Sequence, residues 1–384
     1  MSRQTPALDR WIEPLHSAAW PFLSKSRTEE LRRLEAALCV ALDTAGQEGP
    51  SERLLAVRRA MAPLSPSPLG ERSVLAATLA LAGFVCGWYD LDLRDTVGPG
   101  HGRMILRHGS PALRESWARR LTAGALVGIA ATERHGGSRL TEITARLMPD
   151  AQGWRLTGEK CWVSRLNEAA AFVVFAKDPN GRIQAAVVPA DAPGVTRYPE
   201  TPSGLAGWAW GTLQLHDVHL SGGDVLVMPD GDGERIFREH FAAFRPQVAA
   251  IALGAAAGVH TRVLSALQAR TGIGLLPRLR DTALVTLGRT QADIQTALLG
   301  AVTAARLTAQ GSPHADVWAR ATKVHGVETA YRAVQDLAPL IGAGGFRADS
   351  PVGKAKADLG GLLYADGIHD ALLRSVGRTL MNAD

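Results

Sequence analysis

The sequence predicts an α+β protein of three parts: an N-terminal helical domain, a small middle β domain of sheet or barrel form, and a C-terminal helical bundle. In the first third, apolar residues recur at three- and four-residue spacing, as in helices. After about Gly128 the spacing changes to short strand-like runs, and helical spacing returns at about Gly233 and continues to the end. Because helices and strands are segregated along the chain, we expect separate α and β domains and not a βαβ fold.

The three predicted domains cover residues 1–128, 129–230 and 231–384. The clearest helical segments of the first domain are Thr28–Leu42, Ser51–Met61, Val74–Val85 and Ala112–Leu121. The strand-like segments of the second domain are Gly153–Ser164, Ala171–Ala176, Ile183–Val188, Gly194–Tyr198 and Thr212–Leu220. Gly, Pro, Asn and Asp separate these strands, which is typical of a compact antiparallel sheet or small barrel. The third domain contains four or five long helical segments.

The composition excludes several classes of protein. Three widely spaced cysteines (Cys39, Cys86 and Cys161) offer neither a disulfide framework nor metal-ligand spacing, so no metal site is predicted. The N-terminal segment has no apolar core typical of a targeting signal, and the apolar run Val74–Trp88 is shorter than the roughly 20 residues that cross a bilayer. We therefore expect a cytoplasmic protein with no membrane partner.

The charge is basic but dispersed. The net charge is +5, and of 42 basic residues only six are Lys, which leaves 42 − 6 = 36 Arg. No dense basic stripe interleaved with aromatic residues is present, so we expect no nucleic-acid partner. Acidic ligands such as a dinucleotide pyrophosphate, coenzyme A or an acidic carrier domain fit this balance.

Two short segments carry residues suited to binding a planar, anionic cofactor. Thr132–Ser138 contains hydroxyls and a Gly pair that can bond a flavin edge and a pyrophosphate, or can form an ordinary turn with a capping Ser. In the second segment, Trp162 and Ser164 are two residues apart, so they are predicted to project from one face of a strand. There they would flank an isoalloxazine ring, unless they simply end the strand.

Together the two segments resemble the acyl-CoA dehydrogenase family, whose signature is Thr-Glu-Pro-Gly-x-Gly-Ser-Asp followed by Gly-x-Lys-x-Trp-Ile-Thr. The positions that match are Thr132, Glu133, Gly137, Ser138, Gly158, Lys160, Trp162 and, with a conservative change from Thr, Ser164. The resemblance continues over about residues 100–384. It implies that FAD is the cofactor, that Thr132, Ser138 and Trp162 contact it, and that the Ser164 hydroxyl bonds flavin N5.

Two later segments extend the resemblance to a cofactor site shared between subunits. Arg270-x-x-Ile273-Gly274 is similar to the family's Arg-x-x-Phe-Gly, whose Arg reaches the FAD of a neighbouring subunit. The turn containing Gly342, Gly344 and Gly345 is similar to a Gly-rich stretch near the dinucleotide across the dimer, although such a turn also joins ordinary helices. The resemblance implies a homodimer or a homotetramer.

The resemblance also indicates a candidate base. In the family a Glu followed by Gly removes the α-proton of an acyl thioester while hydride passes to flavin N5. The corresponding residue by spacing is Asp366, followed by Gly367, and Arg245 matches a family Arg expected to hold its charge and orientation. Asp366 is equally suited to cap the last helix. His369, three residues further on, either pairs with Asp366 or is solvated.

Departures from the family pattern leave the function open. Pro339, Asp281 and Ile368 replace polar dinucleotide contacts, and Trp208 and Trp210 lie where the family has Arg, Ser and Thr. We expect an FAD-dependent α,β-dehydrogenase of an acyl thioester, carried by coenzyme A or an acyl-carrier protein, in a specialised biosynthetic pathway. The electron acceptor is unknown. The alternatives are a flavin-dependent monooxygenase on the same fold and a non-catalytic member of the family.

Overall fold

A computed structural model describes residues 6–13, 24–46, 48–65, 71–136, 139–226, 232–273, 278–347 and 349–382. The predicted fold class is confirmed, because the described residues form helices, then an eight-stranded sheet, then helices. The sheet begins at Leu126 and not at residue 129, so the boundary predicted after Gly128 lies inside the first strand. The second predicted boundary, at residues 230 and 231, lies outside the described residues.

The four predicted helices of the first domain are confirmed, each with slightly wider bounds. They are α1 (Lys25–Ala45), α2 (Pro50–Met61), α3 (Arg72–Tyr89) and α5 (Pro111–Thr122). A further short helix, α4 (Arg103–His108), was not predicted. Local capping explains where two of them begin. The Ser24 side chain accepts a hydrogen bond from the backbone N–H of Arg27, and the Ser110 side chain does the same for Leu113 ahead of α5.

The sheet is mixed, so the expectation of a purely antiparallel sheet is wrong. The strands are β1 (Leu126–Ala130), β2 (Arg146–Asp150), β3 (Gly153–Val163), β4 (Ala169–Lys177), β5 (Ile183–Pro189), β6 (Val195–Pro199), β7 (Gly211–Leu220) and β8 (Val225–Leu226). Their order is β6-β7-β3-β2-β4-β5-β8, and β1 lies parallel to β4. The alternation of side chains carries no information on the direction of a neighbouring strand, so the sequence could not indicate this pairing.

The C-terminal helices share one core with the N-terminal helices. They are α6 (Gly233–Gly272), α7 (Asp281–Ala309), α8 (Ala315–Leu337), α9 (Pro351–Leu362) and α10 (His369–Met381). Helices α3 and α6 approach closely through reciprocal glycines. A methyl group on Gly254 would lie 2.1 Å from the carbonyl oxygen of Phe84, and one on Gly87 would lie 2.1 Å from that of Ile251. This contact fixes α6 against the rest of the molecule.

Helices α3 and α6 are also long and apolar enough, by length and composition, to cross a membrane. In the structure they are packed inside the protein, with 61% and 83% of their most apolar windows buried. Their apolar character is therefore accounted for by the common helical core.

Candidate active site

A cavity of about 2440 Å³ opens between the middle sheet and the helices at the C-terminal end of the chain. The predicted site residues that line it are Thr132, Trp162, Ser164, Arg245, Gly342, Gly345 and Asp366. Arg270, Ile273 and Gly344 do not line this cavity, and Ser138 lies outside the described residues. The structure therefore brings most of the predicted cofactor and catalytic residues to one cleft.

A β-bulge presents Trp162 to the cleft. The register of β3 against β7 shifts between Lys160 and Val163, and Trp162 adopts a left-handed backbone with a φ of 54°. Its side chain is 57% exposed, whereas Ser164, just past the strand end, is buried. The bulge, and not the strict alternation expected for a strand, brings both residues to the cleft. The backbone of Trp162 is therefore strained, and its indole lies beside a large cleft. This arrangement is suited to contact with a planar ring system such as a flavin.

A buried ion pair joins the two motif segments. Lys160 Nζ lies 2.7 Å from Glu133 Oε1, and both side chains are almost completely buried. Glu133 also accepts hydrogen bonds from the Thr144 backbone and hydroxyl and from the Ala145 backbone. Burial alone would raise the pKa of Glu133, but the bonds from Lys160 and the two amides lower it. This pair anchors the loop that carries Thr132 to the strand that carries Trp162.

The candidate base lies in the turn between α9 and α10. Asp366 has a φ of 58°, a conformation that is uncommon for a residue other than glycine. The residue at the N-cap of α10 is Ile368, with no side-chain capping bond, so the structure does not support the helix-cap interpretation of Asp366. Instead, its carboxylate Oδ2 accepts a hydrogen bond from Arg94 Nη1 at 3.1 Å. The carboxylate is thus held toward the cleft by a cation.

Two further basic side chains hold the backbone of this turn. Lys323 donates to the carbonyl oxygens of Leu362 at 2.9 Å and of Gly367 at 2.8 Å, and its burial lowers its pKa to about 7. Arg245 donates through Nε to the carbonyl oxygen of Asp366 at 3.4 Å. The sequence predicted that Arg245 would hold the charge of the base, but the contact is with the backbone. Its role is to support the turn.

His369 neither pairs with Asp366 nor is solvated, in contrast to both expectations. It is buried, and its Nδ1 lies 3.0 Å from Glu328 Oε1. The reason is that His369 is the first residue of α10, which packs against α8, where Glu328 lies.

Arg94 is the residue of the site that the sequence analysis missed. Its guanidinium reaches Asp366 through Nη1, Ser164 Oγ through Nη2 at 3.4 Å, and Asp95 through Nε at 3.2 Å. Its Cζ atom lies 3.5 Å from the centroid of the Trp208 ring. The signal in the sequence is the run Asp-Leu-Asp-Leu-Arg-Asp, which places several charges directly after the apolar helix α3.

The two tryptophans that depart from the family pattern have different positions. Trp210 lines the cleft, whereas Trp208 is fully buried behind it, with the ring centroids 5.8 Å apart. Trp208 donates through Nε1 to the carbonyl oxygen of Leu91, and Trp210 donates to that of Leu205. Of these two tryptophans, only Trp210 can therefore contact a ligand in the cleft. Trp208 forms the platform beneath Arg94.

The predicted shared-site segments meet each other within one chain. Arg270 Nη2 donates to the carbonyl oxygen of Ile341 at 2.8 Å, directly before the Gly-rich turn. Gly342 has a φ of 69°, and Ile273 is 72% exposed. These groups form a surface region next to the cleft, since Gly342 and Gly345 also line the cleft.

The order of domains and the cleft between sheet and helices are those of a flavoprotein oxidoreductase fold. Residues 128–218 match the model of the acyl-CoA dehydrogenase middle domain, and residues 231–381 match that of the acyl-CoA dehydrogenase C-terminal domain. The chain belongs to the acyl-CoA dehydrogenase family, and FAD is its cofactor.

Individual relatives agree with this assignment. A probable acyl-CoA dehydrogenase of Mycobacterium tuberculosis, FadE25, is 27% identical over 262 residues, which are 66% of this chain and 67% of the relative. Among solved structures, the glutaryl-CoA dehydrogenase of Mycobacterium smegmatis with FADH2 shares the fold with a TM-score of 0.81 at 20% identity, covering 94% of this chain and 96% of that one. FkbI shares it with a TM-score of 0.72 at 21% identity, covering 91% and 100%.

Proposed function

We propose that this protein dehydrogenates an acyl thioester between Cα and Cβ, with Asp366 as the base. The observation that carries the proposal is that a single guanidinium, that of Arg94, contacts both the Asp366 carboxylate and the Ser164 hydroxyl. The base and the hydroxyl expected to face flavin N5 therefore lie close together on one side of the cleft. General-base catalysis requires the base to reach Cα, and hydride transfer requires the adjacent Cβ to reach flavin N5, so the two groups must lie within one C–C bond of the same substrate.

The chain's own residues would divide the reaction as follows. The Cα–H bond breaks and its proton passes to the Asp366 carboxylate, while a Cα=Cβ double bond forms. The hydride that leaves Cβ would need an acceptor, and bound FAD would supply it. The Ser164 hydroxyl orients the acceptor edge of the flavin. Arg245 and Lys323 keep the Asp366 turn fixed, so the carboxylate does not reorganise during proton transfer.

The cleft favours a small acyl group on an anionic carrier. An Asp side chain is one methylene shorter than a Glu, so the acyl group must approach the turn closely, and Trp210 narrows the cleft beside it. Two basic side chains that line the cleft, Lys356 and Arg374, favour a phosphate-bearing carrier such as coenzyme A or an acyl-carrier protein. The shared fold of FkbI, a protein of methoxymalonyl extender unit biosynthesis, supports a role in a biosynthetic pathway.

The test is anaerobic reduction of the bound flavin by a panel of short acyl thioesters, offered on coenzyme A and on a carrier protein. In the wild-type protein we expect the yellow absorbance to bleach with at least one of them. Asp366→Asn should keep FAD but slow bleaching by about 10²–10⁴-fold, the usual contribution of a positioned base. Asp370→Asn is the matched control, because this carboxylate lines the same cleft and should leave the rate unchanged.

Two outcomes would contradict the proposal. If Asp366→Asn bleaches at the wild-type rate, Asp366 is not the base. If no thioester bleaches the flavin, but the protein reduced by an external reductase consumes O2 and oxygenates a product, the protein is a monooxygenase.

A further inference from the structure

Arg94 is held by a rigid buried network, next to two residues that line the cleft, Ser164 and Asp366. Arg165 donates through Nε to Asp95 Oδ2 at 2.8 Å, the same oxygen that accepts from Arg94. Arg58 donates to the carbonyl oxygens of Asp95 at 3.2 Å and Gly98 at 2.6 Å. Arg58 and Arg165 are each 1% exposed, and the Arg94 side chain is 5% exposed. The loop therefore presents the Arg94 guanidinium in one fixed place, as a preorganised site requires.

Ionised Asp366 offsets part of the positive charge around Arg94. Arg94 and Arg165 share Asp95, and the second carboxylate bound by Arg94 is that of Asp366. Three further basic groups, Arg58, Arg245 and Lys323, bind the backbone beside these two carboxylates. Nearby His101 adds no charge at neutral pH, because its burial lowers its pKa to about 4. When Asp366 accepts a proton, the group becomes more positive by one charge, and in a buried site that change is only weakly screened.

The guanidinium cannot follow a neutralised Asp366 out of position. Its face lies on the Trp208 ring, and a cation over an indole is attracted to it. Its Nε remains bound to Asp95. The uncompensated charge therefore stays 3.4 Å from Ser164 Oγ, the hydroxyl expected to face flavin N5.

We propose that Arg94 is a positioning residue with a second, electrostatic role. It fixes Asp366 and Ser164 on one side of the cleft, and its charge, released when Asp366 takes up a proton, stabilises the negative charge that FAD gains on reduction. The coupling to proton transfer rests on the proposed function. The effect of the Arg94–Asp366 pair on the flavin does not, because it follows from the charges alone.

The test is the two-electron reduction potential of the bound FAD, measured by anaerobic titration against a reference dye without any acyl substrate. Arg94→Gln leaves the Asp366 carboxylate unpaired, so the potential should fall. Asp366→Asn leaves the Arg94 cation unpaired, so the potential should rise. We expect at least a tenfold change in the reduction equilibrium in each direction, which is about 30 mV for a two-electron couple. The double variant should return toward the wild-type potential.

Two control variants separate charge from geometry. Asp370→Asn should leave the potential unchanged. Arg94→Lys keeps the charge but loses the planar fork, so the potential should stay near wild type while reduction by a thioester slows. If both single variants shift the potential in the same direction, or neither shifts it, the electrostatic role is refuted. Should Arg94→Gln fail to retain FAD, Asp366→Asn still decides, because a potential that does not rise overturns the proposal.

The experiment distinguishes this inference from the proposed function. If no thioester reduces the flavin but the two variants shift its potential in opposite directions, the proposed function is refuted and the electrostatic role of Arg94 is supported. If the protein dehydrogenates a thioester through Asp366 but the potential does not shift, the proposed function is supported and the electrostatic role is refuted.

Discussion

Replacing Lys160 by Met should destabilise the middle domain strongly, because it removes one partner of the buried Glu133–Lys160 ion pair. The Lys160 side chain is 0% exposed and the Glu133 side chain 3% exposed. Met is unbranched and of similar length, so the substitution removes the charge with little loss of volume. Removing one partner of a buried pair costs about 3–5 kcal/mol. Glu133 keeps its bonds from Thr144 and Ala145, so we expect a value near the lower end of that range.

A neighbouring ion pair provides the control. Arg134 Nε lies 2.8 Å from Glu159 Oε1 and joins the adjacent residues of the same loop and strand, but these side chains are 68% and 40% exposed. Arg134→Met should therefore cost much less stability than Lys160→Met. The measurement is the urea unfolding midpoint of the two FAD-loaded variants, followed by tryptophan fluorescence. If the unfolding midpoint falls equally in the two variants, burial does not set the cost of removing an ion-pair partner here.

The same pair predicts a pH dependence. The pKa of Glu133 is lowered in the folded protein, so its contribution to stability is present above the unfolded pKa of about 4.3 and is lost as the pH falls through the folded value. Glu133→Gln should therefore lower stability at neutral pH and make the decline in acid shallower than in the wild type. A variant with the wild-type slope in acid would show that Glu133 contributes nothing to it.

Ser164→Ala should retain FAD but raise the barrier to flavin reduction by an amount on the order of 3 kcal/mol, about two decades in rate. Stopped-flow absorbance measures this rate, and a wild-type rate would mean that Ser164 only ends the strand. Arg270→Ala should weaken FAD binding by about one to two decades, the loss of about 1.5–3 kcal/mol expected for one charge-assisted contact. The checks are flavin fluorescence titration and sedimentation, and a strict monomer that retains full FAD affinity would contradict a site shared between subunits.

The spacing of polar and apolar residues predicts the helices and the longer strands, but it does not predict every strand. Strand β1 is buried along most of its length, so it has no alternation of polar and apolar residues and cannot be told from a short helix by its pattern. Strand β8 contains two residues, Val225 and Leu226, too few to form a pattern. Strand β2 was not predicted either, because only Leu147 of its five residues is buried and Pro149 interrupts it. All three strands are defined by the strands that pair with them.

The site also contains residues that the sequence pattern predicts and residues that it does not. Thr132, Trp162, Ser164 and Asp366 are recognisable because each lies in a short segment with its own spacing. Arg94 is not recognisable, because its contacts are with Ser164 and Asp366, which are 70 and 272 residues away in sequence. The left-handed conformation of Trp162 is also absent from the pattern, since it arises from a register shift against β7.

The residues that depart from the family pattern form one connected group. Trp208 replaces a polar family residue and supports the Arg94 guanidinium, and that guanidinium binds Asp366, the Asp that stands in place of Glu. Because Arg245 and Lys323 hold the turn from behind, the carboxylate cannot advance by a shift of the backbone. A longer acid at this position would have to displace the guanidinium that an Asp contacts at 3.1 Å. The shorter acid and the buried cation therefore belong to a single arrangement, and on the proposed function the substrate would have to approach Asp366.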